Sequence, residues 1–142
     1  PNNAETRADL IAATGKVGNA LLNLERVDEA RPYLERSIEI ATVADREQPG
    51  DIYARTNLLV SEFRIAQLYT SMATIAKRKG APIEEQRDLA AKGVAAASAA
   101  VAHVKELEAN GKLDPSKKSW PDLIAEVLKT ATETQRSIES GT

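Results

Sequence analysis

Hydrophobic residues recur along most of the chain at three- and four-residue steps, which is the spacing of one face of an α-helix. Turn-forming or polar residues interrupt this pattern at residues 25–28, 48–50, 80–82 and 110–118. Glycine and proline lie in several of these interruptions, where they commonly end helices. The pattern therefore predicts five helices, most of them joined by short connections.

The first two helices are predicted to form an antiparallel pair over residues 7–47, around which the chain is organised. Gly15 and Gly18 weaken the first helix by roughly 1 kcal/mol each, so we expect a neighbouring backbone to come close there. Asp28 is the expected N-cap of the second helix. The first helix is expected to turn Leu10, Ile11, Val17, Leu21 and Leu24 inward, and the second Ala30, Leu34, Ser37, Ile38 and Ala41.

A second, enlarged pair is predicted over residues 51–110, followed by a capping helix over residues 119–139. The third helix should be roughly 40 Å long. Alanines and one serine at 95–100 are small enough for close helix packing in the fourth helix. Ser119 is the expected cap of the last helix, with Asp122 as its capping-box partner. Because the chain becomes polar after Thr132, we expect this helix to fray.

Composition supports a single all-α domain over residues 1–142. Hydrophobic residues make up 42% of the chain, mostly aliphatic, and glycines are few. The net charge of −2 has both signs interspersed, which argues against nucleic-acid binding because that needs a concentrated basic surface. Membrane insertion by this segment is not expected, because no run of about eighteen consecutive hydrophobic residues occurs.

The sequence leaves the compartment open. The chain contains no cysteine, which excludes disulfides and thiol catalysis. It begins at Pro1 without an initiator Met, so we expect an excised fragment or a processed protein. A cytoplasmic location is expected, and an extracytoplasmic one stays open if a signal or anchor preceded Pro1.

Residues 11–44 resemble a tetratricopeptide repeat, a helix–turn–helix unit of 34 residues. The segment LERVDEA resembles the family's turn, although Glu25 stands where glycine is usual. The positions that carry the resemblance alternate small and bulky residues: Gly18, Leu21, Ala30, Leu34 and Ser37. A looser second unit, with a longer link, is matched by Ile65, Ala66, Tyr69, Ala90, Val94 and Ala97.

The resemblance implies antiparallel helix pairs stacked right-handedly, with the last helix covering the final pair. VKELEANGKL and the helix after it are similar to the end of tetratricopeptide arrays in bacterial signalling proteins, including some attached to serine/threonine kinases. In this family the first helix of each unit lines a concave groove that holds a peptide or a partner's helix. The implied groove residues are Asn19, Leu22, Asn23, Arg64, Gln67 and Ser71.

Arg64 would meet a carboxylate of the partner, and the amides would hold a peptide backbone. The version of the groove that grips a C-terminal carboxylate has a lysine where this chain has Gly15, which argues against that clamp. The competing interpretation is that these six residues are simply solvated polar positions.

No catalytic group, cofactor site or metal site is predicted. His103 is the only side chain that normally titrates near neutral pH, and it lies on an alanine-rich helix. The segment Gly15–Gly18 lacks the spacing of a phosphate-binding loop. We therefore expect a non-catalytic scaffold whose partner is a protein or peptide, with a homodimer possible.

The alternative prediction is a helical bundle that senses a small ligand or mediates oligomerisation, and that regulates an attached catalytic domain. Phe63, Tyr69 and Met72 would then surround a hydrophobic cavity. Packing in the core is the simpler interpretation of aromatic and thioether side chains at this spacing.

Overall fold

The computed structural model describes residues 3–141, and this part of the chain is all-α, without a β-strand. The five predicted helices are confirmed, and a short 3-10 helix lies at Pro115–Lys117. The helices are α1 (Ala4–Asn23), α2 (Val27–Glu47), α3 (Ile52–Arg78), α4 (Ile83–Ala109) and α5 (Trp120–Ser140).

The chain divides into two compact units whose boundary falls inside α3. One unit ends at Ile65 and the other begins at Ala66. The first contains α1, α2 and the first half of α3, and the second contains the rest of α3 with α4 and α5. The expectations of a single domain over 1–142 and of helix pairs at 7–47 and 51–110 stay predictions.

In the first unit, α1 and α2 pack against each other in antiparallel directions. Gly18 of α1 faces Leu34 of α2, and a Cβ added to Gly18 would lie 2.6 Å from Leu34 Cδ2. Ile11 packs in a cluster with Ile40, Ala41 and Leu58. The predicted close approach at Gly18 is therefore confirmed.

The inward face of α1 differs from the prediction. Ile11, Gly15 and Gly18 are the buried residues, whereas Leu10, Val17 and Leu24 are 40%, 43% and 64% exposed. Two glycines on one side let neighbouring helices come closest there, and bulky side chains would prevent such an approach. The helix is thus rotated so that its narrow side, rather than its most hydrophobic side, faces inward.

The expected inward residues of α2 are largely confirmed, but its expected cap is wrong. Ala30, Leu34, Ser37 and Ala41 are buried, whereas Ile38 is only half-buried. The residue at the N-cap position is Arg26, whose carbonyl accepts from the Ala30 N–H at 2.9 Å. The tight turn after α1 leads directly into the helix, so Asp28 falls in its first turn.

Three helices end in the same hydrogen-bonded turn, the Schellman motif, which places one residue in the left-handed conformation. After α3 that residue is Gly80, with φ of 71°, and after α4 it is Gly111, with φ of 67°. After α1 it is Glu25, with φ of 60°. Here Arg26 N–H donates to Leu21 O and Glu25 N–H donates to Leu22 O, both at 2.9 Å.

In the second unit, small residues bring the helices together. Buried clusters join α3, α4 and α5: one contains Ala66, Ala97 and Ala131, and the other Ala73, Ala76, Leu89, Ala90 and Ile138. A Cβ on Gly93 would lie 2.8 Å from Thr70 Oγ1, so α3 and α4 are in direct contact at that point. The small-residue packing expected for α4 is confirmed.

Two expectations about α5 are wrong. The side chain of Ser119 makes no capping hydrogen bond, because its backbone is already helical. The helix continues to Ser140 and does not fray after Thr132. Its end is held because Ile138 is 3% exposed and because Lys77 Nζ donates to the Ser137 carbonyl at 3.2 Å.

Candidate functional site

The most unusual polar group of the first unit is the guanidinium of Arg64, which lies against the backbone of Gly15. A Cβ built on Gly15 would be 2.5 Å from Arg64 Nη1 and 3.8 Å from Arg64 Cζ. The guanidinium therefore occupies the space that any larger residue at position 15 would need for its side chain. Glycine at this position is what allows the arginine of α3 to reach α1.

Buried hydroxyls lie beside this contact. The same Cβ on Gly15 would be 3.5 Å from Ser37 Oγ. Ser37 is 2% exposed and donates to the Ile11 carbonyl at 3.2 Å. Its Oγ is 3.4 Å from Ser61 Oγ, so α1, α2 and α3 each contribute a polar group here. These hydrogen bonds satisfy the hydroxyls of the two buried serines, which lie beside the Arg64 guanidinium.

Arg64 has no counter-ion in this setting. Within residues 3–141 it takes part in no ion pair and no hydrogen bond. Burial lowers the pKa of the Arg64 guanidinium, because partial loss of water disfavours the charged form. An arginine remains charged even so, and its planar fork of N–H donors is therefore available to an added anion.

This arrangement is suited to binding a carboxylate or a phosphate. Arginine can donate two parallel hydrogen bonds to such a group, and the pair is stronger than a neutral hydrogen bond. A partly dehydrated cation gains more from an added anion than a fully solvated one, because water competes less.

The structure distributes the six predicted groove residues over both units. Asn19, Leu22, Asn23 and Arg64 belong to the first unit, where Asn23 is exposed and the other three are half-buried. Gln67 and Ser71 belong to the second unit, where both are half-buried. A single groove formed by all six stays a prediction.

The sequence predicted that Arg64 lines an accessible groove, but it did not predict that the Arg64 guanidinium packs against Gly15. It also missed Ser61, which is 4% exposed. One signal was present, since Gly15 and Ser37 are small residues at inward positions of two neighbouring helices. Small inward residues leave space, and a long side chain from a third helix can fill it.

The residues expected to surround a ligand cavity in the alternative interpretation lie in both units. Tyr69 and Met72 are partly buried against the cluster that contains Ala73 and Leu89. Lys92 Nζ lies 5.6 Å from the centroid of the Tyr69 ring. Phe63 is a half-buried residue of the first unit. A ligand cavity formed by these three residues stays a prediction.

A cleft is present at one end of the first unit, between the start of α1, the end of α2 and the start of α3. Its lining includes Ile11, Ala44, Tyr53, Ala54 and Asn57. It encloses about 210 Å³, which is smaller than most pockets that hold drug-sized ligands.

No group of three or more acidic or histidine side chains converges on a metal-sized site in the described range, residues 3–141. None of the helices there is both long and hydrophobic enough to cross a bilayer. Comparison with family models, curated proteins and solved structures finds no match for this chain. The tetratricopeptide resemblance thus stays a prediction.

Proposed function

We propose that this chain is a non-catalytic protein-interaction scaffold that binds an acidic peptide segment or the acidic face of a partner helix. The observation that carries the proposal is the Arg64 guanidinium, half-buried on Gly15 and without a counter-ion in the described part of the chain. A charge held in this way is costly for folding alone. It becomes favourable when a partner supplies the carboxylate.

The neighbouring groups fit a peptide ligand. Asn19 and Asn23 follow Gly15 at four-residue steps along α1, Asn19 half-buried and Asn23 exposed, and side-chain amides can both donate to and accept from a peptide backbone. Arg64 would select an acidic side chain, and the asparagines would hold the main chain beside it. The tetratricopeptide relationship, and through it a place in a bacterial signalling protein, form part of this proposal.

The test is a binding measurement with paired peptide libraries. One library contains fluorescein-labelled peptides with Asp and Glu at varied positions, and the other has Asn and Gln in their place. Fluorescence anisotropy would compare the unaltered chain with Arg64→Gln. The matched control is Arg36→Gln, which removes the same charge from a different place. The Arg36 side chain is 58% exposed, and its Nη1 is 3.8 Å from Glu39 Oε2, so it already has a carboxylate partner.

We expect acidic peptides to bind and their neutral counterparts to bind weakly. Losing a charge-assisted hydrogen bond costs about 1.5–3 kcal/mol, so Arg64→Gln should weaken binding by about ten- to a hundredfold. Arg36→Gln should leave it unchanged. Equal binding of neutral peptides, or equal loss in both variants, would refute the proposal.

The alternative function, a bundle that senses a small ligand or mediates oligomerisation, predicts a different outcome. Thermal-shift screening with metabolites would then give saturable stabilisation, and no peptide would be captured. Replacing Tyr69 with Leu would then reduce that stabilisation.

A further inference from the structure

The cleft at the start of α1 and α3 has a hydrophobic interior made mostly by small side chains. Ala4, Ala8 and Ile11 of α1, Ala44 of α2 and Ala54 of α3 belong to its lining. An alanine side chain is a single methyl group, so four alanines and one isoleucine leave part of the space between the three helices unfilled. The space of about 210 Å³ equals the volume of roughly seven water molecules in the liquid. It therefore has room for a chain of a few non-hydrogen atoms.

The polar groups of the lining can accept hydrogen bonds. Asp51 is the one charged residue among the described residues that line the cleft, and it is exposed. Its Oδ1 accepts from the Ala54 N–H at 2.9 Å, which places the carboxylate beside another lining residue, and its Oδ2 has no partner within residues 3–141. The side-chain amides of Gln48 and Asn57 also make no hydrogen bond in that range. A ligand with several N–H donors would satisfy these oxygens.

The charges around the cleft sum to a negative value. The charged residues next to the lining are paired with each other: Arg7 with Glu47, and Arg55 with Asp45. Arg46 is also nearby, but it lies about 200° around α2 from Ala44 and so on the far side of that helix. Asp51 therefore gives the cleft a net negative charge, and Glu5 and Asp9 in the adjoining turns of α1 add to it.

An exposed aromatic ring provides a second attraction for a cation. Tyr53 belongs to the lining and is 84% exposed. The face of a tyrosine ring attracts an ammonium group that lies within about 6 Å of its centroid. Lys92 and Tyr69 already make a contact of this kind in the second unit, at 5.6 Å. The aromatic ring and the carboxylate thus favour the same type of ligand.

We infer that this cleft binds a primary alkylammonium group, with the ammonium at Asp51 and the hydrocarbon chain against the alanines. An ammonium carries three N–H donors and no acceptor, which matches the unpartnered oxygens of the lining. An anion would be repelled by the carboxylate, and a neutral chain would bury the same methyl groups without pairing the charge. The group occurs at the end of a lysine side chain and in free diamines. The cleft lies about one turn or more of α1 from Gly15, so the inference does not depend on the acidic-peptide proposal.

Titration of the full chain with n-butylammonium chloride, followed by the NMR methyl signals of Ala8 and Ala54, tests the inference. The comparison probes are 1-butanol and sodium butyrate, which have similar chains with a neutral and a negative end. We expect butylammonium to shift both signals saturably and to bind about tenfold or more tightly than either comparison probe, because only its charge pairs with the carboxylate.

Asp51→Asn should weaken butylammonium binding by about tenfold, because it removes the charge. Asparagine keeps an oxygen that can cap α3, so the fold should be retained. The matched control is Asp28→Asn, an exposed position about 24 Å along α2 from Ala44, and it should bind like the unaltered chain. Ala8→Leu should fill the cleft and abolish the shift, while circular dichroism shows unchanged helicity.

Two further probes distinguish the sources of the ammonium group. Tighter binding of N-acetyl-lysine N-methylamide than of 1,4-diaminobutane would support a lysine side chain of a partner, and the reverse order would support a free diamine. The absence of a saturable shift with butylammonium would overturn the inference. Equal binding of butanol or butyrate, or unchanged binding by Asp51→Asn or by Ala8→Leu, would overturn it as well.

Discussion

Replacing Glu25 with glycine should stabilise the protein. Glu25 is the one described residue other than glycine with positive φ, at 60°. It occupies the position in the turn after α1 that Gly80 and Gly111 occupy after α3 and α4. The substitution changes no hydrogen bond of the turn, because both bonds there involve backbone groups alone.

The size of the effect follows from two opposing terms. A residue with a Cβ loses roughly 1–2 kcal/mol in the left-handed conformation, and glycine avoids that cost. Glycine also makes the unfolded chain more flexible, which offsets about 0.4–1 kcal/mol of the gain. The net stabilisation should be about 1 kcal/mol, or a rise of about 2–4 °C in melting temperature for a chain of this length.

Denaturation by urea and by heat would measure the change. Glu25→Ala is the control, because it removes the same charge but retains a Cβ and should gain little. Gly111→Ala should destabilise the chain by a similar amount, since φ at Gly111 is 67°. Equal stabilisation by Glu25→Gly and Glu25→Ala would refute the conformational explanation and point to the charge.

Three further results are expected. Ala30→Leu should lower the free energy of unfolding, measured by urea denaturation, by roughly 1–3 kcal/mol. Ala30 is fully buried, and the larger side chain overpacks the pair of α1 and α2. An unchanged urea midpoint would contradict the close packing of α1 and α2 at Ala30. Gly15→Ala should displace the Arg64 guanidinium and weaken acidic-peptide binding by about tenfold. The stability of the fold should stay level or rise, because alanine favours helix. Binding equal to that of the unaltered chain would show that the contact between Gly15 and Arg64 is unnecessary. Hydrogen bonds from the Ser116 hydroxyl and N–H lower the pKa of Asp114. The ionised carboxylate of Asp114 therefore stabilises the fold at pH values above the ordinary carboxyl pKa, and this stabilisation is lost on acidification. An NMR titration midpoint of the Asp114 carboxyl at or above 3.8 would contradict this.

The positions of the helices follow from local signals and were predicted closely. Three- and four-residue spacing marks each helix, and Gly80 and Gly111 end α3 and α4 as expected. These features depend on residues close together in sequence, which is why periodicity and turn chemistry suffice to find them.

The inward face of α1 and the seat of Arg64 depend on residues far apart in sequence. Hydrophobicity alone favoured Leu10 and Val17 as inward residues, but closeness of approach favoured Gly15 and Gly18. Sequence spacing likewise could not show that a side chain from α3 fills the space above Gly15. Such features require the packing of three helices, and no local pattern encodes them.

The polar end of α5 is a second feature that composition predicted wrongly, because its helix depends on contacts with distant residues. Ile138 is buried in a segment whose composition indicates fraying. The contact of Lys77 with Ser137 adds a hydrogen bond from another helix. A few contacts with distant residues therefore outweigh the average polarity of this segment.

The central claim is that the guanidinium of Arg64, seated on Gly15, receives an acidic group from a partner. The most direct measurement is the NMR signal of Arg64 Nε–Hε, followed while a bound acidic peptide from the library is titrated. The account predicts a large saturable shift of this signal, with the other arginine side chains nearly unchanged and no shift from the neutral counterpart peptide. An Arg64 signal that stays in place while the peptide binds would contradict it.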